Sequence, residues 1–163
     1  AIGAQNACPN RQVISLSGDG GFTMMMGEML TLKQLNLPIK IFVFNNEELS
    51  FIAMEMKASG YLDYATDFVN PDFGKLAEAA GIKGVSIQNS SEVDEKIMEA
   101  LNHNGPVIVN VRVDKQELAM PPKIAYQQAK GFSKYLINAI LDGRGTELKE
   151  MAKTNWMKYK SLF

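Results

Sequence analysis

Three observations predict an α/β fold with three layers, αβα, and a mostly parallel sheet. Short apolar runs alternate with stretches of helical apolar spacing through most of the chain. One of the runs, Ile39 to Phe44, is broken only by Lys40, as a central strand covered on both faces requires. The first two end in turn-forming residues that carry oxygen, Gly18-Asp19-Gly20-Gly21 and Asn45-Asn46. A chain of 163 residues is long enough for a domain with its own core.

Residues 12–17 read as a buried strand. Phe22 to Asn36 follows with apolar positions at helical spacing (Phe22, Met25, Met26, Met29, Leu30, Leu32), and Met24, Met25, Met26 and Met29 are expected to pack a core helix. Pro38 ends that helix. Ile39 to Phe44 is a central strand interrupted only by Lys40. Residues 49–58 form a short helix, and residues 60–71 a loop. Pro71-Asp72 opens a helix to about Ala80, closed by Gly81.

Val85 to Gln88 is a short strand. Ser91 with Asp94 resembles a capping box ahead of a helix to about Leu101. Pro106 to Val113 is the fourth strand. Pro121-Pro122 then marks a linker, and two helices run from about Ile124 to Leu141 and from Thr146 to Lys158. This divides the chain into an α/β domain, 1–120, and a helical extension, 121–163.

The net charge of −1, with acids and bases mixed, gives no basic face for nucleic acid. The lone Cys8 excludes an internal disulfide and fits a reducing compartment, hence a cytoplasmic protein. Its surroundings offer little to activate a thiol. His103 has no Cys or His neighbours to share a metal and reads as a solvated helix-end residue. No apolar run is long enough to span a membrane, and no signal segment opens the chain. The start on Ala1-Ile2-Gly3, without Met, reads as a piece of a longer protein.

Asp19 and Asn46 lie 27 positions apart, and one helix and one strand account for the interval. If the flanking strands are parallel neighbours, both side chains emerge at the carboxyl end of the sheet, where open α/β sheets bind ligands. Glycines at 18, 20 and 21 let an anion approach the backbone. A carboxylate and an amide oxygen suit Mg²⁺, which takes its remaining ligands from phosphate and water. Either tetrapeptide or dipeptide alone is a common turn. The pattern is neither a Walker loop nor a dinucleotide fingerprint.

At this point the chain resembles the thiamine diphosphate enzymes, whose signature is Gly-Asp-Gly, a spacer of somewhat under thirty residues, and Asn-Asn. It is most similar to the bacterial pyruvate oxidase type, including quinone-linked pyruvate dehydrogenases. The stretches that carry the likeness are Gly18 to Phe22, Leu37 to Ile41, Phe44-Asn45-Asn46, Phe51 to Lys57, Gln128 to Ser133 and Ala152 to Trp156.

The resemblance implies the thiamine diphosphate-binding fold and the C-terminal domain of a three-domain flavoenzyme. Asp19 and Asn46 would bind Mg²⁺ through side chains and Glu48 through its backbone carbonyl. Gly18, Gly20, Gly21 and Thr23 would hold the diphosphate. Phe51 and Glu55, four apart on one helix face, would line the reaction site. By spacing alone, the first reading is an ordinary amphipathic helix with Phe buried and Glu wet. Ser50 stands where a glycine is usual, and Glu47-Glu48 adds charge that is harmless if it faces solvent.

The reaction so implied is decarboxylation of pyruvate to acetate or acetyl phosphate, with electrons passed through FAD to quinone or oxygen. The FAD site and the activating glutamate would lie outside this chain, leaving it without a complete active site. A homo-oligomer, a tetramer at full length, is expected. The tail places Leu148, Met151, Ala152, Trp156 and Tyr159 at steps of three and four among lysines. It is expected either to lie on the inner face of the cell membrane or to pack on its own protein. Two alternatives stand beside this reading: a carboligase of the acetolactate synthase type, and a non-catalytic α/β interaction or lipid-binding module.

Overall fold

The computed structural model describes residues 1–115 and 126–160, with side chains through 156. The expected linker at Pro121-Pro122 and the side chains of Lys158, Tyr159 and Lys160 lie outside the described residues. The chain packs as two compact units. One holds residues 1–47 and 69–113, the other residues 48–68 and 114–163. The expected division after residue 120 differs mainly in residues 48–68, which group with the C-terminal helices.

The first unit begins with α1 (Ile2–Ala7), β1 (Ile14–Gly18) and α2 (Asp19–Met24), followed by a 3-10 turn and α3 (Met29–Gln34). Next come β2 (Lys40–Asn45), α5 (Phe73–Ala79), β3 (Lys83–Ile87), α6 (Val93–Asn102) and β4 (Val107–Arg112), with α4 (Ser50–Ala58) belonging to the second unit. The strands form one parallel sheet in the order β1-β2-β4-β3.

Strand alternation separates two cores. Val43 of β2 and Ile108 of β4 face α2, α3 and α5, where Phe22, Leu32, Phe73 and Ala77 are buried. Phe42, Val107 and Val109 face the other way, with Val85 and Ile87 of β3, against Ala100 of α6. Three layers result, as expected. From β1 through β2 to β3 the chain advances with α2, α3 and α5 on the first face. From β3 to β4 it steps back with α6 on the second. Reversing direction and face together preserves the hand of the crossovers.

The long helix expected over Phe22 to Asn36 is broken at Met25, whose backbone (φ −124°, ψ 21°) leaves the helical region. Met26 and Met29 still pack against the first core. Met24 and Met25 are exposed, contrary to expectation, because the break turns them outward. Asp72 caps α5 by accepting from the backbone of Gly74 and Lys75, and Gly81 follows it at φ 73°. The capping box before α6 is Asn89 with Glu92, two residues earlier than Ser91 with Asp94. A 3-10 turn, Ser90–Glu92, takes up the difference. His103 caps α6 at its C-terminus and is exposed, and Cys8 is free and exposed.

In the second unit α7 (Tyr126–Leu141) packs on α4 and α8 (Gly145–Lys160) packs on α7. Tyr135, Ala139 and Met151 form its core, with Leu148 against them. Half of the amphipathic stripe of α8 is therefore docked on its own protein, while Trp156 is 70% exposed. Buried Lys57 is paired with Glu147 at 3.2 Å. Burial, with Glu147 beside it, pushes the Tyr135 hydroxyl well above the ordinary tyrosine range. Among the described residues no helix is long and apolar enough to cross a membrane.

Candidate functional site

Strands β1 and β2 are hydrogen-bonded parallel neighbours, with Gly18 opposite Phe44. Asp19 follows the tip of β1 and Asn45-Asn46 ends β2, so the two motifs meet at the carboxyl edge of the sheet. Asp19 is 2% exposed. Its Oδ1 accepts from the Gly20 backbone at 2.8 Å. Its Oδ2 accepts from the Glu47 backbone at 2.7 Å and from Asn70 Nδ2 at 2.8 Å. Buried polar oxygens need such donors.

The loop after β2 is drawn onto Asp19 from both sides of Asn46. Glu47 touches the carboxylate directly, and Asn45 is joined to it through Asn70, whose Nδ2 also lies 3.0 Å from Asn45 Oδ1. Asn46, half-buried, stands between them. Glu47 adopts φ 59°, a left-handed conformation unusual for a residue with a side chain, and such strain gathers at functional loops. Its own carboxylate pairs with Arg112 at 2.8 Å and, with neighbouring Asp19, holds the guanidinium above its usual range.

Sequence reasoning passed over Asn70 and Asn110. Asn110 Oδ1 accepts from Asn45 Nδ2 at 3.0 Å inside the first unit. A lone amide in the apolar run of β4 was the available sign, since a buried amide needs a partner. Asn70 reads from sequence only as a residue ahead of a helix cap.

The residues fit a divalent cation and a phosphate group. Asp19 Oδ1 has a single donor among the described residues, so lone-pair capacity remains there for a cation. A side chain placed at Gly18 or Gly21 would meet nothing within 4 Å. Gly21 also borders a cavity of about 400 Å³ lined in part by Ser15, Ser17 and Phe22. Gly20 is less available than expected, because its N–H is committed to Asp19. Thr23 donates its hydroxyl hydrogen to Gly20 O at 2.9 Å, leaving an acceptor oxygen. Among the described residues, no group of three or more His, Cys, Asp or Glu forms a protein-only metal cage.

Glu48, Phe51 and Glu55 belong to the second unit. Glu48 does not face solvent: it is 6% exposed, and burial raises its carboxyl above the ordinary range against the opposing pull of Lys57 and Lys115. Its backbone bridges to Asp67. Phe51 is 72% exposed and Glu55 is exposed too, so the buried-Phe alternative does not hold in this chain. Ser50 is the first residue of α4, an ordinary helical position that needs no glycine.

The carboxylate and the paired amides lie at the carboxyl edge of an open parallel α/β sheet, where such sheets bind their ligands. Residues 1–111 match the family described as thiamine pyrophosphate enzyme, C-terminal TPP binding domain, and the chain belongs to that family. It is similar to YdaP of Bacillus subtilis, a protein named provisionally for thiamine pyrophosphate, with 38% identity over 94% of this chain. It is also similar to the mitochondrial acetolactate synthase catalytic subunit of Saccharomyces cerevisiae (39% over 74% of this chain). The large subunit of Escherichia coli acetolactate synthase isozyme 2 is 36% identical over 74%. The chain spans 27% of the length of YdaP and 18% and 22% of the two synthases.

Proposed function

We propose that this chain holds thiamine diphosphate and Mg²⁺ in an enzyme that decarboxylates pyruvate. The observation that carries the reading is the buried Asp19 carboxylate, fixed by donors from its own loop, the loop after β2 and Asn70. Asp19 and Asn46 hold the cation through side-chain oxygens, with the Glu48 carbonyl as third protein ligand. The Gly21 N–H and the Thr23 oxygen receive the diphosphate beside Gly18 and Gly20. By the family resemblance, Phe51 and Glu55 contribute an aromatic side chain and a carboxylate to the reaction. Thiamine diphosphate, when bound, supplies the electron sink for loss of CO₂.

Carboligation to acetolactate takes first place, ahead of the pyruvate oxidase type expected from the sequence. The reason is that the similar proteins of Saccharomyces cerevisiae and Escherichia coli are named as acetolactate synthases. Oxidation to acetate or acetyl phosphate, with FAD and quinone or oxygen, is the second reading. What supports it is the resemblance of Phe51 to Lys57, Gln128 to Ser133 and Ala152 to Trp156 to the pyruvate oxidase type. A homo-oligomer accompanies either. Peripheral membrane contact through α8, supported by exposed Trp156, accompanies the second.

Product analysis of the full-length protein with pyruvate, Mg²⁺ and thiamine diphosphate tests this. Acetolactate is expected. Acetate formed with reduction of an added quinone would move the assignment to the second reading. Cofactor binding without pyruvate consumption would overturn both.

A further inference from the structure

The role of Asn70 belongs to neither sequence motif. We propose that Asn70 is a positioning residue that orients the Asp19 carboxylate for a divalent cation; this rests on Asp19 being a cation ligand. A carboxylate offers about four lone-pair sites on two oxygens. Three N–H donors engage Asp19, one on Oδ1 and two on Oδ2. Gly20 is the next residue in the chain and sets Oδ1 only locally. The two donors on Oδ2 come from separate loops and so fix the plane of the group. With Oδ2 occupied twice, Oδ1 is the oxygen left to meet a cation.

Asn70 is suited to this because its own orientation is determined. A carboxylate only accepts, so the Asn70 amide must turn its NH₂ to Asp19. The same nitrogen donates to Asn45 Oδ1, and Asn45 Nδ2 in turn donates to Asn110 Oδ1 on β4. Asn45 and Asn110 are almost wholly buried. An amide relay therefore runs from β4 through the tip of β2 to Asp19. The backbone of Asn70 is fixed from the other side. Pro71 restricts the chain after it, and Asp72 both caps α5 and accepts from Ser86 Oγ on β3 at 2.5 Å. Outer residues that orient ligands typically change metal affinity by about 10- to 100-fold when removed.

Asn70→Ala in the full-length protein provides the test, read by calorimetric titration of thiamine diphosphate over a range of Mg²⁺ and, separately, Ca²⁺. Mg²⁺ demands near-octahedral placement and Ca²⁺ tolerates irregular geometry. The Mg²⁺ concentration for half-maximal binding is expected to rise by about 10- to 100-fold, with a clearly smaller rise for Ca²⁺. Asn70→Ser, which keeps a short donor, is expected to fall between; if Asn70→Ala does not fold, the same ratio is read on the serine variant. An unchanged Mg²⁺ midpoint, or equal rises for both cations as a loosened fold would give, overturns the proposal. A wild-type protein that binds no thiamine diphosphate with either cation overturns the parent reading as well. Binding by wild type with unaffected variants overturns this inference alone.

Discussion

The backbone N–H of Glu47 lies 2.7 Å from Asp19 Oδ2, and Glu47 occupies the left-handed region to reach it. The chain after β2 is thus a clamp on the carboxylate rather than a free turn. A conformation of this kind costs of order 1 kcal/mol and persists because its surroundings enforce it. The contact also explains why two motifs 27 positions apart act as one: parallel pairing brings the strand tips together, and Glu47 closes the remaining gap.

Removing the partner of a buried amide should destabilise the first unit. Asn110→Leu leaves Asn45 Nδ2 without its acceptor in the core. A loss of about 1–3 kcal/mol is expected in urea unfolding. An unchanged midpoint would mean that water or a rotated amide satisfies Asn45 instead.

Close packing of α5 on β3 predicts intolerance of a single methyl group. A Cβ at Gly84 would lie 2.0 Å from the Gly74 carbonyl oxygen. Backbone must move to admit it, so Gly84→Ala should cost about 1–3 kcal/mol or more. Full stability in thermal unfolding would show that the helix can shift freely.

Lys40 provides a pH prediction. The residue is 1% exposed, and its Nζ donates to the carbonyls of His103 and Gly105 at 2.6 Å each. Burial holds its pKa below the ordinary 10.5. Between the lowered native value and 10.5, the unfolded chain binds more protons than the native one. The contribution of Lys40 to stability therefore rises with pH through that window and falls as pH drops back through it. Denaturant titrations of wild type and Lys40→Met from neutral pH upward should show a stability difference that grows in favour of wild type. A constant difference would contradict this.

The α/β order, the parallel sheet and most helix limits were legible because apolar stretches such as Ile39 to Phe44 mark strands and proline and glycine punctuate the chain; β1, expected to be buried, instead leaves Ile14 and Leu16 exposed at the edge of the sheet. The break at Met25 was not, since apolar spacing continues through it and only backbone geometry reveals it. Asp19 and Asn46 stood out because each follows a strand directly. Asn70 and Asn110 did not, because their importance lies in pairings across the sheet, 25 and 65 positions from Asn45. The burial of Glu48 was equally hidden: charge in a sequence suggests solvent until packing shows otherwise.

The most direct measurement is the affinity of the full-length protein for thiamine diphosphate with and without Mg²⁺, in wild type and in Asp19→Asn. Tight binding that requires Mg²⁺, weakened by at least about tenfold in the variant, is the predicted result. Equal affinity of the two proteins, or binding indifferent to Mg²⁺, would contradict it.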